Sequence, residues 1–100
     1  MKSYGRPSDA AGMEPEYGAI FITSRATMPE CLQRRLVGLP DYKIRFVEQV
    51  KTGMILFLFE HDRRELYGVF KSCCGGAMNI VPSAFGMQFP AQVIILCIIY

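Results

Sequence analysis

The sequence predicts a small α+β domain, in which a mixed or antiparallel sheet packs with two short helices. Short apolar runs rich in β-branched and aromatic residues recur between Gly, Pro and polar residues, which is typical of strands. Two intervening segments space their apolar residues as helices do. The chain has 100 residues, of which 51% are hydrophobic, so it is long enough for one domain and too apolar to be disordered.

The first strand is predicted over residues 17–22, an apolar run that opens a domain assigned to residues 17–100. Residues 1–16, with their Gly, Pro, Ser and acidic side chains, are expected to form a flexible leader. They lack the apolar segment of a secretory signal, so we expect an intracellular protein, cytoplasmic or nuclear. The longest apolar run, residues 93–100, is far shorter than the ~20 residues of a membrane-spanning helix, so no membrane insertion is expected.

The first helix is predicted over residues 28–37 by a capping box at its start. Thr27 precedes Glu30 by three positions, so the Thr27 side chain is expected to accept a backbone hydrogen bond while Glu30 bonds back to the Thr27 amide. Cys31, Leu32 and Leu36 are expected to face the core from this helix. Gly38 is expected to end the helix, and Pro40 prevents it from restarting.

The second helix is predicted over residues 42–50, where apolar residues repeat at spacings of three and four. Asp41 is expected to cap its start, and Gly53 is expected to end it. The charged side chains of this segment lie mainly off the apolar stripe, which favours a surface helix with one buried face.

The later part of the chain is predicted to be mostly strand. Strands over residues 54–60 and 66–71 are separated by a polar turn and are expected to pair antiparallel. Glu60 and Asp62, near Arg63 and Arg64, are expected to form a solvated hairpin end. Gly68 inside the second predicts a bulge or a close approach of another segment. Pro and Gly residues keep residues 79–89 irregular, and the last strand is predicted over residues 91–99.

We find no catalytic, cofactor-binding or metal-binding constellation in the sequence. The four cysteines lack the spacing of a zinc site, and we expect them to be reduced, with Cys31 and Cys97 in the core. His61 is the single histidine and lies in the polar turn without a paired nucleophile, so an exposed side chain is favoured over a general base. We therefore expect a protein that is not an enzyme and needs no cofactor.

Several short motifs occur in a characteristic order within residues 17–93. They are Gly18-Ala19-Ile20-Phe21, Gly38-Leu39-Pro40 (the GLP motif), Leu56-Phe57-Leu58 (the LFL motif), Leu66-Tyr67-Gly68-Val69-Phe70, Ala84-Phe85-Gly86 and Pro90-Ala91-Gln92-Val93 (the PAQV motif). In this order and spacing the chain resembles the plant Development and Cell Death (DCD) domain, with Val37 in place of the Phe of its FGLP motif. The family pattern continues past PAQV to a PLxE motif, so we expect a domain that lacks its C-terminal element.

The resemblance implies a non-enzymatic protein-interaction module in plant development, stress and programmed cell death signalling, with an unknown protein partner. The candidate binding residues are those of the three named motifs and two arginines near them: Arg34, Arg35, Gly38, Leu39, Pro40, Leu56, Phe57, Leu58, Pro90, Ala91, Gln92 and Val93. A structural role for the GLP and PAQV motifs, as a helix stop and a strand entry, is the competing interpretation.

Two other functions stay open. Basic residues are locally in excess near the GLP motif: Arg34, Arg35, Lys43 and Arg45. This excess fits either solvated helix faces or contact with an anionic partner. Together with the aromatic residues of the strands it suggests a small RNA- or modified-nucleotide-binding domain. The net charge of +2 is too mild to favour nucleic acid. The third hypothesis is a shortened product without independent function.

Overall fold

The computed structural model describes residues 18–97, and the leader predicted for residues 1–16 lies outside this range. Within it the chain forms six strands and two α-helices, which confirms the α+β class. In chain order these are β1 (Gly18–Thr23), α1 (Met28–Arg34), β2 (Leu36–Leu39), α2 (Ile44–Glu48), β3 (Ile55–Glu60), β4 (Glu65–Ser72), β5 (Ala77–Met78) and β6 (Ala91–Cys97). Short 3-10 turns cover Asp41–Lys43 and Ala84–Met87.

The strands form one mixed sheet in the order β1-β3-β4-β6-β2, with β5 also paired to β6. β1 runs parallel to β3, and the other pairs are antiparallel, including the predicted β3–β4 hairpin. β6 links the β1-β3-β4 part of the sheet to β2 and β5, because its first residues pair with β2 and β5 while its last residues pair with β4. Neither β2 nor β5 was predicted from the sequence.

The core is built from alternate residues of the strands. In β1 and β3 every second side chain is buried and the others are half-buried, so one face of these strands carries the core and the other is partly covered. The helices add Met28, Cys31 and Val47 to it. Full burial of an aliphatic or aromatic side chain stabilises a fold by about 1.5–3 kcal/mol, so these alternating positions supply most of the driving force for folding.

The helix α1 is shorter than predicted. It ends at Arg34 because Arg35 adopts the left-handed conformation, with a φ of 55°. The following residues extend as β2 and pair with β6, so the prediction that Gly38 stops a helix is wrong. Leu32, expected to face the core, is 41% exposed. Pairing with a distant strand outweighs the local helical pattern here, as tertiary contacts commonly do.

The predicted capping box at the start of α1 does not form. Thr27 has helical backbone angles, and its side chain makes no capping bond. Its Oγ1 accepts a hydrogen bond from the Ser24 amide at 3.2 Å, while the Thr27 amide donates to Ser24 Oγ at 3.1 Å. Ser24 therefore fixes the start of the helix, and the Glu30 carboxylate bonds elsewhere.

The helix α2 is also shorter than predicted. Asp41 lies inside the 3-10 turn that precedes α2 and does not cap it. Gly53 sits in a later turn with a φ of 85°, so it does not end the helix. The predicted apolar stripe is partly confirmed, because Val47 and Val50 are both buried.

Gly68 in β4 confirms the predicted close approach. A Cβ atom at this position would lie 2.3 Å from the ring of Phe57, which occupies the space over the glycine. The β3–β4 register shifts between Leu56 and Leu58, which is the predicted bulge. Phe57, the middle residue of the LFL motif, therefore packs its ring over Gly68 across the hairpin.

Candidate functional site

The GLP and PAQV motifs, far apart in the sequence, lie side by side in the sheet. Gly38 pairs with Gln92, and Leu39 pairs with Ala91, as antiparallel partners in β2 and β6. β5 pairs with the same two residues of β6. The PAQV motif is thus the middle strand of a three-stranded corner, which we call the motif corner (residues 38–40, 77–78 and 90–93).

Gln92 ties the loop that precedes β6 to the motif corner. Its side chain is completely buried. Its Oε1 accepts a hydrogen bond from the Val81 amide at 2.7 Å, and its Nε2 donates to the carbonyls of Val81 at 3.1 Å and Phe89 at 2.9 Å. One side-chain amide therefore satisfies three backbone groups of an irregular segment, which would otherwise be costly to bury.

Gly38 lets this loop pack directly on β2. A Cβ atom on Gly38 would lie 2.7 Å from the Phe89 carbonyl oxygen and 2.9 Å from the Phe85 ring. The rings of Phe85 and Phe89 are in contact, with centroids 5.9 Å apart and planes tilted by 58°. A glycine is needed here for space and not for its backbone freedom.

The loop backbone is strained at three consecutive residues. Phe85, Gly86 and Met87 have φ values of 57°, 61° and 66°, in the left-handed region that side chains disfavour. Such strain costs about 1–3 kcal/mol per residue other than glycine and persists only when its surroundings hold it. The result is that Phe85 points inward and is 6% exposed, whereas Met87 is 74% exposed.

The carboxylate of Glu30 holds this strained loop. Its Oε2 accepts a hydrogen bond from the Phe85 amide at 2.9 Å and another from Arg34 Nε at 2.8 Å. The helix α1 is thereby connected to the loop by a charge-assisted hydrogen bond, the stronger class of such bonds. This contact replaces the capping role that the sequence predicted for Glu30.

A pocket of about 170 Å³ opens between α1, the motif corner and the loop. We call it the motif pocket; it is lined by Ile22, Thr23, Ser24, Thr27, Cys31, Gly38, Leu39, Pro40, His61, Phe85 and Phe89. An apolar cavity of about 150 Å³ accommodates a benzene molecule, so this pocket has room for one aromatic or aliphatic side chain. Its hydroxyl groups and imidazole can form hydrogen bonds with whatever enters.

Exposed apolar side chains flank the motif corner. Tyr42, two residues after the GLP motif, is 76% exposed, and Met87, shortly before the PAQV motif, is 74% exposed. Met78, opposite Ala91 in β5, is 42% exposed. Single exposed apolar residues are ordinary, but Tyr42 and Met87 lie within two residues of the pocket-lining Pro40, Phe85 and Phe89, and we call these two the rim of the pocket.

The sequence profile described as "Development and cell death domain" matches residues 17–99 of the chain. The chain belongs to this family. Its DCD domain is 37% identical over 83 residues to the DCD domain-containing protein NRP-B of Glycine max, covering 76% of the chain and 25% of that protein. It is 37% identical to the B2 protein of Daucus carota and 35% identical to the DCD domain-containing protein NRP of Arabidopsis thaliana, of which it covers 40% and 24%.

The chain thus spans between about a quarter and two fifths of the length of these plant relatives. The shared DCD domain includes both halves of the motif corner, since residues 38–40 and 90–93 lie inside the matched range. The geometry of the motif corner is therefore a property of the domain itself.

Most motif residues of this DCD domain are buried. Leu39, Ala91 and Val93 have at most 4% of their surface exposed, and both leucines of the LFL motif are completely buried. Pro40 and Phe57 are half-buried. Within the motif corner, Gly38, Leu39 and Pro40 line the motif pocket, while Gln92 positions the loop behind it. Binding through these residues stays a prediction, and the surface they present is the pocket.

The basic residues predicted near the GLP motif do not line the motif pocket. Arg34 is paired with Glu30, and Lys43 Nζ lies 5.7 Å from the centre of the Tyr42 ring. Arg35 lines a different groove, on the β4 side of α1. Arg45 is exposed on α2. The structure therefore spreads the predicted basic cluster over several surfaces.

The turn between β3 and β4 differs from its prediction in one residue. His61 and Asp62 are exposed as expected, with His61 Nδ1 3.5 Å from Asp62 Oδ1. Glu60 was expected at a solvated hairpin end, but it is 1% exposed. It faces inward because the alternation of β3 continues through its last residue.

Cys31 in the DCD domain is a buried thiol, as predicted, at the back of the motif pocket. Burial, and to a smaller extent the charge of Glu30, raise its pKa from 9.0 to about 12. Cys73 and Cys74 are exposed, and the side chain of Cys97 lies outside the described part.

The raised pKa of Cys31 predicts a loss of stability in alkali. Above the unfolded pKa of 9.0 the unfolded thiol releases its proton while the folded thiol keeps it, so the stability contribution is present below this pH and is lost as the pH rises towards 12. We expect the free energy of unfolding to fall with pH by about 1.4 kcal/mol per unit more than in Cys31→Ala. Urea unfolding over this range measures the difference, and parallel pH curves would contradict it.

Among residues 18–97, no helix has both the length and the apolar character to cross a membrane. In the same range, no group of three or more His, Cys, Asp or Glu side chains is arranged to hold a metal ion.

Proposed function

We propose that this DCD domain is a non-enzymatic protein-interaction module in plant development, stress and programmed cell death signalling. It binds a partner protein by taking one aromatic or aliphatic side chain into the motif pocket. The family description supports the setting in development and cell death. The size of the pocket, about 170 Å³, supports a single side chain as its occupant.

The observation that carries this proposal is the strained loop beside the pocket. Two non-glycine residues, Phe85 and Met87, keep left-handed backbone angles, and the Glu30 carboxylate holds the amide of the first. Strain of this kind clusters at binding sites, where it fixes a geometry in advance of the partner. Here it places an aromatic wall in the pocket and a methionine, a side chain that adapts readily to apolar partners, at its rim.

The polar lining supports a peptide as the ligand. Ser24, Thr27 and His61 place hydroxyl groups and an imidazole at the pocket. A peptide segment that inserts an apolar side chain brings backbone N–H and C=O groups to the mouth, and these groups need hydrogen-bond partners. A mostly apolar pocket with a few polar groups is the usual form of such a site.

Introducing a negative charge at the rim tests the proposal. Peptides are selected from a random displayed library on the full chain, and their affinities are then measured by fluorescence polarisation. We expect Met87→Glu and Tyr42→Glu each to weaken binding about tenfold, because each places a carboxylate beside the pocket that must lose its hydration when an apolar partner docks. Replacing the apolar anchor of the selected peptide by alanine should have a similar effect.

Leu66→Glu is the matched control, since Leu66 is 58% exposed on β4, a strand that contributes no lining residue to the motif pocket. Its affinity should stay within about twofold of the original chain, as expected of a residue outside the contact. If no peptide is selected by a chain that melts cooperatively, or if Leu66→Glu reduces binding as much as Met87→Glu, the motif pocket is not the interaction site.

A further inference from the structure

A groove runs between α1 and β4, and we call it the α1–β4 groove. It has two parts, with volumes of about 270 Å³ and about 360 Å³. Leu32 of α1 and Tyr67 of β4 line both parts, so the two parts are continuous. The α1–β4 groove shares no lining residue with the motif pocket, so its function is separate from the one proposed for that pocket.

The centre of the α1–β4 groove is apolar. Leu32 is 41% exposed, although Met28 and Cys31 of the same helix are buried. Across the groove, the side chain of Tyr67 is half-buried, and its hydroxyl donates a hydrogen bond to Glu65 Oε1 at 2.8 Å. This bond orients the phenol ring. An exposed leucine and an oriented aromatic ring together form a surface on which an apolar side chain can pack.

Each part of the α1–β4 groove has an arginine that is not used by the fold. Arg25 lines the smaller part and Arg35 lines the larger part. Neither arginine makes an ion pair within residues 18–97. They lie on either side of α1, whose seven residues are ~10 Å long. The apolar centre is therefore flanked by two separate positive charges.

The one acidic side chain among the described lining residues does not oppose these charges. Glu60 is 1% exposed, so its carboxylate lies beneath the surface of the groove. Its Oε2 accepts hydrogen bonds from the amides of Asp62 and Arg63, and Arg63 Nε lies 3.7 Å from Oε1. The charge of Glu60 is thus balanced within the fold, and the charge that the groove presents to a ligand is positive.

We propose that the α1–β4 groove binds an acidic peptide segment of a partner protein. An apolar side chain of the segment packs between Leu32 and Tyr67, and the carboxylates on either side of it pair with Arg25 and Arg35. Alternate residues of an extended peptide point to the same side, and four residues span about 13 Å, which is enough to reach past both ends of α1. The pattern that fits is acidic-x-apolar-x-acidic, as in Glu-Ser-Phe-Ser-Glu.

The spacing of the charges favours an acidic peptide over a nucleic acid. A strand of RNA carries a phosphate at every nucleotide and is held by a basic surface that follows its backbone. Arg25 and Arg35 instead line different parts of the groove, with the apolar centre between them. Two single charges separated in this way match two carboxylates on either side of one apolar residue.

Titration of the labelled full chain with the peptide Ser-Glu-Ser-Phe-Ser-Glu-Ser, followed by NMR, tests the proposal. We expect the amide signals of Leu32, Tyr67 and Gly68 to shift, while those of Gly38 and Phe89 in the motif pocket stay unchanged. The same peptide with glutamine in place of both glutamates should bind about tenfold more weakly, because each exposed ion pair contributes about threefold. This difference should shrink at high salt.

Variants of the two arginines test the charges. Arg25→Gln and Arg35→Gln should each weaken binding of the acidic peptide about threefold, and both together about tenfold, since the two sites are well separated. Arg45→Gln is the matched control, because Arg45 is exposed on α2 and lines neither part of the groove. Its affinity should be unchanged.

A variant of Leu32 tests the apolar centre. Leu32→Ser should weaken binding about tenfold, since the apolar side chain of the peptide loses its packing partner. Leu96→Ser is the matched control, because Leu96 has a similar exposure of 43% and follows the buried Ile95 in β6, so its side chain lies on the opposite face of the sheet. Both positions are exposed, so neither change is expected to unfold the chain.

The proposal is overturned if the peptide leaves the groove signals unchanged, if its glutamine counterpart binds equally tightly, or if Leu96→Ser loses as much affinity as Leu32→Ser. A single-stranded RNA that shifts the groove signals when the peptide does not would also overturn it in favour of a nucleic acid. Met87→Glu, which tests the motif pocket, should leave the affinity for the acidic peptide within about twofold. A larger loss would show that the peptide occupies the motif pocket instead, so the two proposals can fail separately.

Discussion

Replacing Gln92 by alanine is expected to lower the free energy of unfolding by about 4 kcal/mol. The substitution removes all three hydrogen bonds of a completely buried amide and leaves the N–H of Val81 and the C=O of Phe89 without these partners, while the C=O of Val81 keeps its bond from the Ala84 amide. It also leaves a cavity behind the loop that precedes β6. The loss is a large part of the 5–15 kcal/mol by which domains are typically stable, so we expect a much lower urea midpoint.

Gln88→Ala is the matched control for this change, because Gln88 lies in the same loop and its side chain is exposed. Its free energy of unfolding should stay within about 0.5 kcal/mol of the original chain. Equal urea midpoints for Gln92→Ala and the original chain would show that the loop is held by other contacts. Gln92→Glu adds a second test, since it keeps the oxygen acceptor but loses the two donated hydrogen bonds.

Replacing Gly38 by alanine is expected to cost about 3 kcal/mol and to open the motif pocket. The new Cβ atom would lie under 3.0 Å from the carbonyl oxygen and Cβ of Phe89 and from the ring of Phe85. The Phe89 backbone is fixed by the Gln92 side chain, so it cannot move away without breaking that hydrogen bond. We therefore expect both a lower melting temperature and weaker binding of peptides selected for the motif pocket.

Gly75→Ala shows whether the loss of stability in Gly38→Ala comes from the steric clash of the new Cβ atom or from the replacement of a glycine in general. A Cβ atom on Gly75 would meet only the Val50 carbonyl oxygen, at an ordinary 3.6 Å. This variant should melt within a few degrees of the original chain. If Gly38→Ala melts at the same temperature as Gly75→Ala, β2 and the loop are less tightly packed than the distances indicate.

The parts of the fold that were predicted correctly have local signals. The β3–β4 hairpin follows from two apolar runs around a polar turn, and the close approach at Gly68 follows from a glycine inside a strand. The end of α1 was missed because its cause is distant. The pattern at residues 28–37 suits a helix, but β6 offers backbone partners to Leu36–Leu39, and this pairing decides the conformation.

Two glutamates show a similar limit. Glu30 has the spacing of a capping box, yet its carboxylate bonds the Phe85 amide, a contact between residues 55 positions apart. Glu60 stands next to charged residues in the sequence, which suggested solvent exposure. The period of two in β3 carries a signal that could have placed it inside, since Leu56, Leu58 and Glu60 fall on one face.

The competing structural interpretation of the two motifs was right for one of them. The PAQV motif does enter a strand, since β6 begins at Ala91, but the GLP motif forms part of β2 and does not stop a helix. The structure joins them into one corner, with each motif residue of β2 paired to one of β6. Their separate spacing along the chain gives no indication of this pairing, because a register between distant strands is set by the packing of the whole sheet.

The position of β6 in the sheet has a consequence for the synthesis of the protein. Leu36 has its partner in Ile94, and β5 has its partner in the same late strand. A ribosome adds ~5–20 residues per second, so β2 leaves it seconds before any partner exists. Contacts of such long sequence separation also slow folding of the released chain. The domain can therefore be completed only after β6 has left the ribosome. Until then the apolar segment Leu36–Leu39 has no strand partner, and it is the part of the nascent chain most in need of a chaperone.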